Sequence, residues 1–152
     1  KKKKINFHSR YDAKERVYEY RIVNRLGSLS LDKNKAWHLK KRLDVTLLKK
    51  GAKILKGTHD FSTFRASSCS AKSPIKKMNS VVIKKKEDKI FLIFKSKSFL
   101  QNQVRSMVGC LEKVSCKKWN LAKFKNVFKS KKRSQCAPPA PSCGLYLMKV
   151  KY

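Results

Sequence analysis

The chain has 152 residues, with 40 lysines and arginines against 9 aspartates and glutamates, a formal net charge of +31, and 41% hydrophobic residues. That length and apolar content suit one domain burying roughly two-thirds of its unfolded surface, and they argue against a disordered tail. The charge excludes cationic partners and favours polyanions, nucleic acid first, because each phosphate neutralised releases a condensed counterion.

Residues 1–6 form a basic leader with no apolar stretch behind the four opening lysines, so they do not read as a secretory signal. Residues 16–23 alternate, with Tyr18, Tyr20 and Ile22 on one face and Val17, Glu19, Arg21 and Val23 on the other, the period of a strand. A turn-rich stretch, 24–34, follows. Apolar residues at Ala36, Leu39, Leu43, Leu47, Leu48, Ile54 and Leu55 predict a helix over 35–55, weakened by Gly51 and stopped near Gly57. The serine-rich stretch 58–74 has no clear period and reads as a long loop, a kind of segment often functional in compact domains.

Two apolar runs, 80–84 and 89–95, joined by the charged residues 85–88, predict a hairpin whose second strand is covered on both faces. Residues 99–114 predict a helix with Leu100, Val104, Met107, Val108, Leu111 and Val114 in one stripe, and 121–129 a further helix presenting Leu121, Phe124, Val127 and Phe128. The three prolines of 137–143 demand an extended connector, and 145–152 alternates as a final strand. The order β-α-β-β-α-α-β is that of a single α+β domain, a mixed or antiparallel sheet with helices on one face.

The longest apolar run, IFLIF at 90–94, falls far short of the roughly 18 residues of a spanning helix, and the lysines are spread over every predicted element rather than one amphipathic face. No membrane partner is expected. Lysines also solvate surfaces that have no partner at all, which is the plainer reading of any single one. The five cysteines are odd in number and lack CxxC spacing, and His8, His38 and His59 supply no paired ligands, so no metal or other cofactor is expected. Reduced structural thiols in a reducing compartment, the cytoplasm or an organelle, are the expectation.

On the helix 99–114, Arg105 projects about 130° from the centre of the apolar stripe and shares its face with Gln101 and Gly109. Glycine in mid-helix costs stability and is accepted where another segment or a ligand comes close. A guanidinium on that face suits bidentate pairing with a carboxylate or phosphate, or it is simply solvated. Tyr18 is either an aromatic core contact or a phenol able to stack on a base and exchange a proton. Asp60, just past a helix end, fits a structural role in satisfying loop donors, while Phe61 and Phe64 point inward and Arg65 and Lys72 are placed to meet phosphates.

Five phrases stand in one order: FHSRYDAKERVYEYRI from Phe7, LKGTHDFSTFRASSCSAKSP from Leu55, SFLQNQVRSMVG from Ser98, APPAPSCGLYL from Ala137, and the closing KVKY. Together they resemble the C-terminal half of the TruA-type tRNA pseudouridine synthases, over almost the whole chain. The resemblance implies an isomerase that converts uridine to pseudouridine in the anticodon stem-loop of tRNA without cofactor or metal, working as a homodimer. It implies that Arg105 pairs with the family's catalytic aspartate and that Tyr18 contacts the target uridine.

By the same resemblance Leu147, in a GLYL phrase, packs on the uracil, although a plain core leucine fits equally well. Gln101 and Asn102, where the family commonly has two histidines, are candidate substrate contacts. Arg16, Arg65, Lys72 and Arg133 are candidate RNA contacts, Arg133 being what remains of a DRT-like phrase. No RTDxGVHA-like phrase, which would carry the nucleophilic aspartate, occurs here. The chain is therefore expected to be the RNA-binding C-terminal portion of a synthase, inactive alone. Its N-terminal half lies outside this sequence, is cleaved or is separately encoded, and the chain pairs as a homodimer or with that separate half. The alternative is a catalytically dead remnant kept as an RNA-binding or scaffold component. A generic basic domain without an RNA role is the third reading.

Overall fold

In the computed structural model, which describes residues 7–9 and 11–152, strand β1 (Glu15–Asn24) is the axis of the sheet. It pairs antiparallel with β5 (Lys89–Ser96) on one side, and on the other with β6 (Leu145–Lys151). At its end β1 meets β2 (Trp37–Leu39) in parallel. Beyond β5 lie β4 (Ile75–Lys86) and, at the far edge, β3 (Gly57–Asp60). The basic leader 1–6 lies outside the described residues.

Register places Tyr18 between Phe94 and Leu147, and Tyr20 between Leu92 and Leu145. Because a strand alternates its side chains, one face of the sheet collects Tyr20, Ile22, Ile83, Ile90, Leu92 and Phe94, all buried. Helices α1 (Val45–Leu55), α2 (Gln103–Ser115) and α3 (Leu121–Lys129) close over that face, adding Leu48, Leu55, Met107, Val108, Leu111 and Phe124 to the core. The expected α+β fold, an open mixed sheet with helices on one side, is what forms. The opposite face of β5 carries Phe91 and Ile93 only half-buried, so that strand is not covered on both faces. In register they stand beside strand residues, Phe91 next to Arg21 and Ile93 next to Val82.

Three further sequence expectations need correction. The helix predicted over 35–55 exists only from Val45 onward, and residues 37–39 are the added strand β2. Asn24 explains the difference. Its amide donates to the carbonyls of Leu39 and Lys41 and accepts from the N–H of Leu43, holding 39–43 extended. Asp44 then caps the helix through Leu47 N–H at 3.0 Å. Within α1, Gly51 lets α2 come close, since a Cβ there would lie 2.7 Å from Leu111 Cδ2.

The stretch 58–74 is not all loop. Its first residues pair with β4 as β3, and Phe61 N–H closes the excursion on Pro74 O. Asp60 accepts from Ser62 N–H and Ser62 Oγ, the structural role expected of it. Phe61, Thr63 and Phe64 are buried, and Thr63 Oγ1 bonds the Val127 and Phe128 carbonyls at the end of α3.

The third correction concerns α2, which begins at Gln103 rather than near Phe99. Asn102 takes a left-handed conformation (φ 60°), and Gln103 Oε1 accepts from Leu100 N–H at 2.8 Å, folding 99–102 into a turn. The apolar stripe from Leu100 to Val114 is buried as the 3.6-residue period requires.

Candidate functional site

The turn ahead of α2 creates the most chemically suggestive concavity. Tyr18 and Leu145 form one wall, the loop Cys69–Ser70–Ala71 another, and Phe99 through Arg105 the third, enclosing about 390 Å³. Tyr18 and Arg105, which come from strand and helix 87 positions apart in sequence, thus face one hollow.

Arg105 is half-buried, and its guanidinium is aimed by backbone. Nε donates to Ala140 O at 2.7 Å, and Nη1 reaches Asn102 Oδ1 at 3.4 Å. Among the described residues no carboxylate neutralises it, and Nη2 has no protein partner. Such a fork, held by its inner edge, presents its outer edge to an anion. Tyr18 is also half-buried. Its ring meets Phe99 edge-on, centroids 5.1 Å apart at 88°, and its hydroxyl bonds nothing among the described residues.

The remaining candidates divide. Gln101 and Asn102 both line the hollow. Gln101 also stitches it together, its N–H meeting Cys69 Sγ at 3.4 Å and its carbonyl accepting from Ala66 N–H at 3.1 Å. Leu147 stands beside Tyr18 in register but is 53% exposed and does not line the hollow, where Leu145 does. Arg16 and Lys72 line a neighbouring groove of about 520 Å³ with Lys76, sharing the Tyr18–Phe99 wall. Arg16 Nη1 donates to Lys97 O at 2.6 Å.

Arg65 faces neither concavity. It ties the loop by donating to the Cys69 and Ala71 carbonyls at 2.8 and 2.7 Å. Arg133 also lies outside both, with Nη1 on Ser106 Oγ at 3.1 Å.

Sequence reasoning missed Leu145, Phe99, Cys69 and Gln103. Burial works against the Cys69 thiolate, but hydrogen bonds from the Ala71 and Gln101 backbone and from Arg65 outweigh it, lowering the thiol below its ordinary value. Gln103 is fully buried with Nε2 unpartnered among the described residues, at the foot of the hollow. Only the glutamine's place at a helix start, one position after Asn102, could have pointed to it.

The acidic side chains are engaged elsewhere. Asp32 pairs with Lys89, Asp88 with Arg25, Glu15 with Lys151, Glu19 with Arg21, Glu112 with Lys113, and Asp60 with Lys131. Asp44 caps α1, Asp12 accepts from His8 N–H, and Glu87 sits in the exposed β4–β5 turn. None lines the hollow. Among the described residues no cluster of three or more His, Cys, Asp or Glu could hold a metal, and no helix is long and apolar enough to cross a membrane.

An aromatic ring and a carbonyl-anchored guanidinium thus line one hollow beside a basic groove in an α+β domain. Comparison with known proteins gives that domain a family. Residues 52–152 match the family described as tRNA pseudouridine synthase. The chain is 60% identical over all 152 residues to tRNA pseudouridine synthase A of Pelagibacter ubique, covering 62% of that protein. It is 42% identical to the proteins of that name from Parvibaculum lavamentivorans, over 97% of this chain and 60% of the relative, and Afipia carboxidovorans, over 96% and 60%. The chain belongs to the tRNA pseudouridine synthase family. It spans about three-fifths of the length of these relatives.

Proposed function

We propose that this chain supplies the guanidinium and phenol of a uridine-to-pseudouridine isomerase acting on the anticodon stem-loop of tRNA, and that a segment outside these 152 residues brings the carboxylate. The observation that carries the reading is the shared hollow of Tyr18 and Arg105, with no acidic residue in its lining. The target uridine leaves its stack, at a cost of a few kcal/mol, and enters this hollow. Tyr18 stacks against the base and holds a hydroxyl near it, with Leu145 offering apolar contact from β6.

The reaction breaks the N1–C1′ bond, turns the uracil, and joins C5 to the ribose. A carboxylate near C1′ must be ionised to take part. Arg105 keeps it so, because an opposite charge within about 4–6 Å favours the ionised form. Gln101 and Asn102 frame the entrance, and Arg16 and Lys72 hold flanking phosphates, which position the RNA without reading its sequence. Arg65 acts through the loop it ties, and Arg133 through α2. The partner is tRNA. By this account the chain alone binds it without isomerising it, and a second copy or a separate N-terminal half completes the assembly.

Titrating the chain with tRNA at several salt concentrations tests the binding half of this reading. Affinity should fall steeply with salt, and Arg16→Ala with Lys72→Ala should flatten the slope of log affinity on log salt by about 1–2. An unchanged slope would remove the groove from the RNA path.

A further inference from the structure

Five reduced cysteines look uniform in the sequence, but two of them meet. Cys110, buried on α2, and Cys136, half-buried in the connector that follows α3, have their sulfurs 3.5 Å apart. The other three lie against backbone: Cys69 accepts from Gln101 N–H, Cys116 faces Lys113 O, and Cys143 faces Ala36 O. The pair also sits in an ordered frame. Ala137 N–H points at Cys110 Sγ at 3.4 Å, and Arg133, bonded to Ser106, stands beside Cys136.

We propose that Cys110 and Cys136 form a reversible dithiol–disulfide pair, oxidised by a small-molecule disulfide such as glutathione disulfide. The roles divide by environment. The hydrogen bond from the Cys110 thiol, against the cost of burial and with help from the Arg133 guanidinium, lowers Cys136 below an ordinary thiol. Sharing that hydrogen bond, and burial, push Cys110 up. Cys136, the more accessible and more ionised, is the attacking group.

Its thiolate attacks one sulfur of glutathione disulfide and expels a glutathione thiolate. Cys110 then gives up its proton and attacks Cys136 Sγ, releasing the second glutathione. Two protein thiols and one glutathione disulfide become one protein disulfide and two glutathione thiols. The electrons pass to the departing glutathiones and the two thiol protons end on them. To form the bond the sulfurs must close from 3.5 Å to about 2.05 Å.

The bond would fasten the connector to α2 four residues before Ala140, whose carbonyl aims Arg105. Neither cysteine lines the hollow, and the proposal stands whether or not the chain handles uridine.

Incubating the full chain with glutathione disulfide tests it. The intact mass should drop by two hydrogens, two of the five thiols should vanish, and the peptides of Cys110 and Cys136 should be joined until dithiothreitol is added. The Tm should rise by roughly 5–10 °C on oxidation. Cys110→Ser should stop at a glutathione adduct on Cys136, and Cys136→Ser should give neither adduct nor bond at these positions. Five persisting thiols, or a Cys110→Ser protein that takes its adduct on another cysteine instead, would overturn the assignment.

Discussion

Arg105 and Ala140 exchange two hydrogen bonds: Arg105 Nε donates to Ala140 O at 2.7 Å, and Ala140 N–H donates to Arg105 O at 2.9 Å. The connector is thereby zipped onto α2 at Arg105. The α-helical backbone normally keeps its carbonyls for itself, so a second acceptor role for Arg105 O fixes the connector's position along the helix. The reciprocal bond from the guanidinium then fixes the arginine's own rotamer. Folding and site geometry are settled by the same contact.

Gly109, one turn along the same face, makes that approach feasible, because a Cβ there would overlap Pro138 O. Gly109→Ala should destabilise the chain by about 2–3 kcal/mol, the cost of forcing a packed backbone apart, and should loosen Arg105. Urea unfolding measures it. Gly27→Ala, with nothing within 4 Å, should stay within about 0.5 kcal/mol and serves as the control.

Tyr20 carries a pH signature. Its hydroxyl donates to Pro141 O at 2.6 Å in a buried setting. Desolvation raises its ionisation above the ordinary phenol value. Because the folded value is raised, its contribution is fully present below about pH 10, where the unfolded chain's tyrosine ionises, and is lost as pH climbs above that. Tyr20→Phe should therefore cost about 1–2 kcal/mol near neutrality, and the gap to the wild type should close above about pH 10. Urea titrations of both proteins across that range read the difference directly, since lysine deprotonation affects them alike.

Tyr18 should separate its two roles by substitution. Tyr18→Phe keeps the ring and its edge-on contact with Phe99, so stability should move by less than about 0.5 kcal/mol and tRNA affinity by less than about threefold. Tyr18→Ala removes a stacking surface worth about 1–3 kcal/mol per base, so affinity should fall at least about fivefold. Equal affinities for the two variants would show that no base stacks there.

Much of this was legible before the coordinates. The alternation around Tyr20 and the stripe from Val104 to Val114 follow from burial on one face, which a sequence records directly. Arg105 on the face of Gly109 was legible because a glycine in mid-helix has few other reasons to exist, and the Pro138 carbonyl supplies one. What escaped was set by contacts distant in sequence. The apolar residues of 36–43 mimic a helical period, yet Asn24, some 15 positions upstream, holds them extended. Strand β3 exists only because β4 is there to pair with it. Leu145 lines the hollow although Leu147 is the one beside Tyr18 in register, a choice between two leucines of one strand face that no periodicity reveals.

The most direct test replaces the matching three-fifths of the Pelagibacter relative with this chain and assays pseudouridine in tRNA. The chimera should form pseudouridine, while the 152-residue chain alone forms none. Arg105→Lys in the chimera, which keeps a charge but loses the fork, should bind tRNA within about threefold of its parent and turn over at least about 100-fold more slowly. Pseudouridine made by the chain alone, or a tRNA-binding Arg105→Lys chimera as fast as its parent, would contradict the account.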